Sequence, residues 1–215
     1  TGNAADFPAV EATLLADALK VYKVYPDQNY KPTTNSLVIN WGNSTTPLWD
    51  NTNFVFLNRP EKVRNAINKL TSFRMFRKAG VRIPFFTVDP DMACQWLDKG
   101  NWAVCRTQLK GMDGAGLVLA KTEKELVPAK LYTQYIPIYK EFRSYVFMGE
   151  YLDTFEKRRK SIKDADPDIR TEGRNWVFCK DPEWIPPGIQ ELAIKAVAAL
   201  GLDFGGVDII CENGT

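Results

Sequence analysis

The stretch "RTQLKGMDGAGLVLA", residues 106–120, places two cations and three glycines directly before an apolar run. Glycine has no Cβ and tolerates φ > 0, so the backbone N–H groups of such a loop can approach a ligand closely. Two interpretations are open from these residues alone. They form either an ordinary hairpin turn around Asp-Gly or a cradle for phosphate made by Lys110, Gly111, Gly114 and Gly116.

The composition predicts a globular protein. The chain has 215 residues, of which 45% are hydrophobic and 25% charged, which fits one or two domains with their own cores. No run approaches the ~18 apolar residues of a membrane helix, and the first residues lack the pattern of a signal peptide. We therefore expect a cytoplasmic protein without a membrane partner.

The residue types limit the chemistry. The sequence contains no histidine, which excludes Ser-His-Asp and Cys-His catalysis. The four cysteines stand far apart without a C-x-x-C pair, so a structural zinc site is not expected. A net charge of +2 and the lack of a basic stripe interleaved with aromatic residues argue against a nucleic-acid partner. Asp, Glu, Lys and Arg remain, and they suit chemistry led by charge and metal ions.

The hydrophobic pattern alternates between helical and strand-like segments. Helical spacing is found in residues 10–19, in residues 59–79 as one or two helices ending at Gly80, in residues 92–100 and in residues 187–201. Strand-like runs are "VYKVYP", "SLVINWG", "VRIPFFTVD", "WAVCRTQ", "GLVLA", "LYTQYIPI", "EFRSYVFMG", "YLDTFEKRR" and "VDIICENG". Their succession predicts α+β lobes with antiparallel sheet, and polar residues 161–175 predict a surface loop.

Four of these stretches, taken together, resemble the ATP-grasp superfamily. They are "INKLTSFRMFRKAGVRIP", the glycine loop, "LYTQYIPIYKEF" and "LGLDFGGVDIICENG". Within the superfamily the chain is similar to bacterial and phage-type carboxylate–amine and peptide ligases, from about residue 38 to residue 215.

The resemblance implies a set of phosphate-binding groups. Lys69 stands where the family has a lysine that opens a helix, and Arg106 stands where it has a second cation before the glycine loop. The family usually has lysine at the second place, so Arg106 is a departure, although its fork of donors suits phosphate oxygens. The loop of residues 110–116 would then close as a lid over the triphosphate of ATP.

The adenosine part of ATP is expected at a hinge between two strands. By the resemblance, Gln134, Tyr135 and Ile136 offer backbone contacts to the adenine, and Glu141 accepts the ribose hydroxyls. Arg143 lies two residues further and so shares one face of the strand with Glu141. Without the resemblance, a cross-strand ion pair on the surface is the preferred interpretation of Glu141 and Arg143.

Further cations are candidates for catalysis. With Arg143, the resemblance implies that Lys157 and Arg158 of "FEKRRKS" neutralise the transferring phosphoryl group, and Lys157 is the preferred one. The alternative is a solvated run of charges. Arg174 and Asn175 could reach the same site, but a turn-stabilising asparagine also accounts for them.

One aspartate is the candidate metal ligand. By the resemblance, Asp208 holds Mg²⁺, or Mn²⁺, together with phosphates of ATP. The family completes this site with an E-x-N pattern on the following strand. Glu212 and Asn213 are adjacent and close to Asp208, so they are not assigned, and the metal site is expected to be incomplete within these residues.

The resemblance implies an ATP-grasp fold of mixed α+β and α/β type, with two α+β lobes that clasp ATP behind a small α/β pre-ATP-grasp domain. The expected divisions are residues 1–60, 61–130 and 131–215. The implied activity is an ADP-forming ligase that joins a carboxylate of a small molecule or peptide to an amine through an acyl phosphate, and a homodimer is an allowed assembly. The alternatives are a catalytically degenerate nucleotide-binding module and a small-molecule kinase.

Overall fold

The computed structural model divides the chain into two compact units, Thr1–Arg64 and Asn65–Thr215. It describes residues 7–50, 53–111, 114–161, 168, 170 and 174–212. Within these ranges, no helix is both long and apolar enough to cross a bilayer.

The first unit is built around a short parallel strand pair. Helix α1 (Phe7–Leu19) precedes strand β1 (Leu37–Ile39), which pairs in parallel with β2 (Val55–Leu57). Helix α1 and strand β1 confirm the sequence expectations, whereas the predicted strand "VYKVYP" is wrong. Its residues lie outside helix and strand, and Val21, Tyr22 and Tyr25 are 54%, 97% and 44% exposed, so these side chains do not form a core.

Two consecutive helices confirm the helical pattern before Gly80. They are α2 (Pro60–Ile67) and α3 (Lys69–Ala79). The Asn68 side chain caps α3 by accepting the Thr71 N–H. Gly80 ends it in the left-handed region at φ 68° and donates its N–H to the Arg77 carbonyl. These caps fix where Lys69 sits, at the first turn of α3.

A four-stranded antiparallel sheet follows, in the order β3-β6-β4-β5. A small core of Ala93, Cys105, Ala120 and Tyr132 forms where helix α4 packs near the sheet. Strand β6 hydrogen-bonds to β3 and β4, so this sheet extends past residue 130, where the sequence placed a division. Its elements are β3 (Phe86–Thr87), α4 (Pro90–Asp98), β4 (Ala103–Arg106), β5 (Leu117–Ala120) and β6 (Leu131–Gln134).

A second four-stranded antiparallel sheet has the order β10-β7-β8-β9. Helix α5 packs on one face, where Phe142, Val146, Ala193 and Val197 form a buried core. The other face carries the charged side chains described below. The elements are β7 (Lys140–Phe147), β8 (Glu150–Arg159), β9 (Trp176–Cys179), α5 (Ile189–Leu200) and β10 (Phe204–Cys211). Strand β9 had no counterpart in the predicted strands, and most of the predicted surface loop, residues 161–175, lies outside the described residues.

Candidate functional site

A cavity of about 1110 Å³ opens within the unit Asn65–Thr215. Nine of the fourteen sequence-predicted site residues line it. On one wall are groups from α3, from β4 and from the connection between β4 and β5, and on the other are side chains of the second sheet. The nine are Lys69, Arg106, Gly111, Gly114, Ile136, Glu141, Arg143, Lys157 and Asp208.

Lys69 stands at the start of α3, and its backbone N–H donates to the Leu109 carbonyl at 2.9 Å, which ties the helix to the glycine loop. Burial lowers the pKa of its ammonium group, and the nearby Arg106 guanidinium lowers this pKa further. In the described part of the chain, the Lys69 ammonium has no ion-pair partner. It is a desolvated cation that faces another cation.

Arg106 ends strand β4 and directs its guanidinium into the same region. Its Nε is buried and has no hydrogen-bond partner among the described residues. Burial also lowers the pKa of this guanidinium. A buried donor without a partner costs roughly 1–3 kcal/mol, and an anion bound between Arg106 and Lys69 would recover that free energy. The donor set therefore fits a phosphate chain.

The glycine loop is the hairpin connection between the antiparallel strands β4 and β5. Thr107 closes it, because its N–H and its hydroxyl both donate to the Gly116 carbonyl, at 2.9 and 3.1 Å. Gly114 and Gly116 have φ values of 76° and 72°. A Cβ on Gly116 would lie 2.8 Å from Thr107 Oγ1, so this glycine serves the closure of the hairpin, while Gly111 and Gly114 line the cavity.

The opposite wall carries two ion pairs. The Lys157 ammonium donates to Glu141 at 2.7 Å, with side chains 8% and 9% exposed. Arg143 donates two hydrogen bonds to the Asp208 carboxylate, from Nε to Oδ1 at 2.7 Å and from Nη2 to Oδ2 at 2.9 Å. Burial raises the pKa of Glu141, and the Lys157 contact opposes that rise.

Sheet register explains these pairs. Arg143 and Asp208 are direct partners between β7 and β10. Phe142 opposes Glu156 between β7 and β8, which brings Glu141 beside Lys157. Residues far apart in the sequence thus meet because three strands align their charged positions on one face.

Aromatic residues of β9 complete this wall. Phe178 lines the cavity with Arg143 and Lys157 beside its ring, and Trp176 lines it with Arg170 4.5 Å from its ring centroid. The sequence analysis did not identify these residues. Their signal is the spacing of Trp176 and Phe178, two positions apart, which is the period of a strand face.

Five predicted site residues do not line the cavity. Arg158 points to the opposite face of β8 from Lys157. There its guanidinium donates to the Glu156 carboxylate at 2.8 Å. Lys110 is exposed. Tyr135 stacks on Trp102 and donates its hydroxyl to Asp168 at 2.8 Å. The remaining two are Gln134 and Gly116, and the alternatives Arg174 and Asn175 are also outside the lining.

A complete metal site is not present in the described ranges, where no group of three or more acidic, histidine or cysteine ligands occurs. Asp208 and Glu212 both line the cavity, but Arg143 engages both oxygens of Asp208. Magnesium commonly uses one or two carboxylates with nucleotide phosphates and water, so Asp208 fits as one ligand of such a site. Asn213, which the sequence analysis left unassigned, lies outside the described residues.

Known structures share this arrangement of lobes. D-alanine–D-alanine ligase from Bacillus anthracis matches with a TM-score of 0.56 and 16% identity, over 74% of this chain and 57% of that one. The ATP-grasp ligase PsnB, bound to a phosphomimetic variant of its minimal precursor, Mg and ADP, matches with a TM-score of 0.55 and 15% identity, over 74% and 50% of the chains. The chain has the ATP-grasp fold.

D-alanyl-alanine synthetase A from Vibrio cholerae gives the same result, with a TM-score of 0.56 and 16% identity over 74% of this chain and 56% of that one. The chain therefore spans between half and three fifths of the length of these three structures. No protein-family model matches the sequence. No curated protein matches it either. At these identities the likeness shows the ATP-grasp fold, and the roles of individual residues rest on the cavity itself.

Proposed function

We propose that the protein is an ATP-dependent carboxylate–amine ligase of the ATP-grasp type, with residues 1–60 as a small domain that helps to bind the acceptor. The observation that carries this proposal is the pair of desolvated cations, Lys69 and Arg106, which form no salt bridge in the described part of the chain; Asp208 is near enough to Lys69 to raise its pKa in part. Solved ATP-grasp ligases share the fold, and one of them holds Mg and ADP.

In this proposal the first wall binds the triphosphate. Lys69 and Arg106 donate to phosphate oxygens, and the backbone of Gly111 and Gly114 approaches the same chain of phosphates without a Cβ in the way. Ile136 follows the hinge and lines the cavity, where it packs on the adenine. Glu141 accepts a ribose hydroxyl while it keeps Lys157 close.

Mg²⁺ would be held by Asp208 together with phosphate oxygens, and it would supply charge neutralisation at the phosphates. Arg143, whose guanidinium donates to both oxygens of Asp208, orients that carboxylate. The side chain of Arg143 then lies beside the transferring group, where a guanidinium stabilises negative charge. The chain thus contributes mainly position and charge.

The proposed reaction has two steps. A substrate carboxylate oxygen attacks the γ-phosphorus of ATP, the bond to the bridging oxygen breaks, and an acyl phosphate and ADP form. An amine then attacks the acyl carbon, inorganic phosphate leaves, and the amine loses a proton to give the amide. Lys157 and Arg143 would neutralise the phosphoryl group in the first step.

The charge of the cavity favours an anionic second substrate. Cations outnumber carboxylates six to three among the described lining residues. This excess suits a nucleotide together with a substrate carboxylate better than a nucleotide together with a neutral hydroxyl. The cations are Lys69, Arg82, Arg106, Arg143, Lys157 and Arg170, and the carboxylates are Glu141, Asp208 and Glu212.

A nucleotide-binding module without turnover is the second candidate. It is favoured by the bidentate Arg143–Asp208 pair, which engages both oxygens of the candidate metal ligand. In such a module the cavity would bind ATP, and the ion pair would persist in the bound state.

Hydroxylamine trapping separates these candidates. The protein is incubated with Mg–ATP, hydroxylamine and a panel of amino acids and short acidic peptides. A hydroxamate formed together with ADP supports the ligase, because hydroxylamine captures an acyl phosphate. ATP binding without ADP formation supports the module, and a stable phosphoester would indicate a kinase.

A further inference from the structure

We propose that Phe178 is a positioning residue, whose ring holds the cations Arg143 and Lys157 in place while ligands engage their carboxylate partners. This inference rests on the proposed function, since it assigns Phe178 a task only when nucleotide and metal occupy the cavity. It concerns a strand, β9, that the sequence patterns did not reveal.

The geometry places one ring beside two like charges. Lys157 and Phe178 are direct partners between β8 and β9, and the Lys157 Nζ lies 4.9 Å from the centre of the Phe178 ring. Arg143 approaches the same ring from β7, with its Cζ 4.1 Å from the centre. Both distances are within the range of a cation–π interaction, which extends to about 6 Å.

Two cations held this close repel each other unless something compensates. In the ligand-free protein the compensation comes from Asp208 for Arg143 and from Glu141 for Lys157. A metal ion at Asp208 and a ribose at Glu141 would both draw on these same carboxylate oxygens. The ion pair of each cation with its carboxylate would then weaken when nucleotide and metal bind, which is when the cation has to be positioned for the phosphoryl group.

The ring contact does not depend on the carboxylates. The negative face of a phenyl ring attracts a cation without carrying a formal charge, so it does not compete with the metal ion or bind it. It also excludes water from one side of both cations, which strengthens their interaction with phosphate. Phe178 is thus suited to hold the Arg143 and Lys157 side chains in the cavity while their ion pairs with Asp208 and Glu141 weaken.

Three variants separate this role from simple packing. Phe178→Leu keeps apolar bulk but removes the π face, and Phe178→Tyr restores that face. Phe147→Leu is the matched control, because Phe147 is a phenylalanine of the same sheet that packs on Phe204 and lies outside the cavity lining. Binding of Mg–ATP and of AMP is measured by calorimetry for each variant and for the wild type.

We expect Phe178→Leu to weaken Mg–ATP binding roughly 3- to 30-fold, the range of a partly desolvated cation–π contact, and to change AMP binding less than about twofold. Phe178→Tyr should restore Mg–ATP affinity, and Phe147→Leu should retain it. Equal loss of Mg–ATP and AMP affinity in Phe178→Leu, or no rescue by Phe178→Tyr, would reduce Phe178 to a packing residue and overturn the inference.

A measurement on the unaltered protein covers the case in which Phe178→Leu does not fold. Nuclear Overhauser contacts from the Phe178 ring protons to the side chains of Arg143 and Lys157 are recorded with and without Mg–ATP. Their persistence in the bound state supports the inference, and their loss overturns it. Failure of the wild type to bind Mg–ATP would overturn the proposed function and this inference together, whereas binding with loss of the contacts would overturn the inference alone.

Discussion

The two walls of the cavity carry similar cations in opposite electrostatic settings. On the wall of α3 and β4, Lys69 and Arg106 are desolvated and without an acidic partner in the described residues. On the wall of the second sheet, Lys157 and Arg143 are each paired with a carboxylate. The paired wall satisfies its own charges and can contribute to the fold. The unpaired wall costs free energy until an anion binds, which is the mark of a binding surface.

The largest expected effect concerns the stability of the paired wall. Lys157→Ala leaves the buried Glu141 carboxylate without its partner, so we expect the free energy of unfolding to fall by about 3 kcal/mol. Urea unfolding followed by circular dichroism measures it. Arg158→Ala is the control from the neighbouring position of the same strand. Arg158 is 38% exposed and Lys140 still pairs with Glu156, so its loss should matter far less, and an equal loss in both variants would contradict the distinction.

The unpaired wall should respond in ligand affinity and not in folding. Lys69→Ala and Arg106→Ala each remove a charge-assisted donor, so each should weaken Mg–ATP binding by about 1–3 kcal/mol, roughly a 5- to 150-fold rise in Kd. Calorimetric titration measures the change. Lys110→Ala is the control on the same hairpin, since Lys110 is exposed and outside the cavity lining. A Lys110 variant as weak as the Arg106 variant would place the phosphates elsewhere.

The two glycines of the hairpin sharpen the comparison within the first wall. Gly114→Ala and Gly116→Ala both force an L-residue into positive φ, at a cost of about 1 kcal/mol or more in unfolding free energy. Of these two glycines, Gly114 lines the cavity and Gly116 does not. Gly114→Ala should therefore weaken Mg–ATP binding beyond its effect on thermal stability, while Gly116→Ala should show a stability loss alone. The reverse order of ATP affinities would assign the hairpin a purely structural role.

The smallest expected effect is a gain. Arg106→Met replaces the buried guanidinium, with its unpartnered Nε, by an apolar side chain of similar length. We expect the ligand-free protein to become more stable by about 1 kcal/mol, while Mg–ATP binding weakens by about as much as in Arg106→Ala. Thermal unfolding with and without Mg–ATP tests both halves, and a destabilised Arg106→Met protein would show that the guanidinium stabilises the fold after all.

The sequence predicted the fold better than the pairing of charges. Glycines marked the C-terminal ends of α3 and α5, and the resemblance placed Lys69 correctly at a helix start. The run "EKRRK" could not show which of Lys157 and Arg158 faces the cavity, because that depends on the register of β8 against β7. The Arg143–Asp208 pair likewise arises from the alignment of β7 with β10 across 65 positions, which local patterns do not encode.

Strand β9 and the segment "VYKVYP" both show that a local pattern cannot predict a strand without its neighbour: one strand was missed, and one was predicted wrongly. Trp176–Cys179 lies next to a polar stretch and forms a strand because β8 offers it an edge. Residues 21–25 are rich in valine and tyrosine, which favour strands, yet the described structure gives them no strand partner. Strand propensity expresses how a segment fits a neighbouring surface, so the neighbour decides the outcome.

The comparison of Mg–ATP with AMP tests the central claim most directly. In the proposed function, Lys69, Arg106 and the hairpin glycines bind the phosphates beyond the first. The wild-type protein should then bind Mg–ATP at least roughly tenfold more tightly than AMP in calorimetric titration, a difference of about 1.4 kcal/mol. In the Lys69→Ala, Arg106→Ala double variant that difference should shrink to about twofold or less. Equal affinity of the wild type for Mg–ATP and AMP would contradict the assignment of the unpaired wall to a triphosphate.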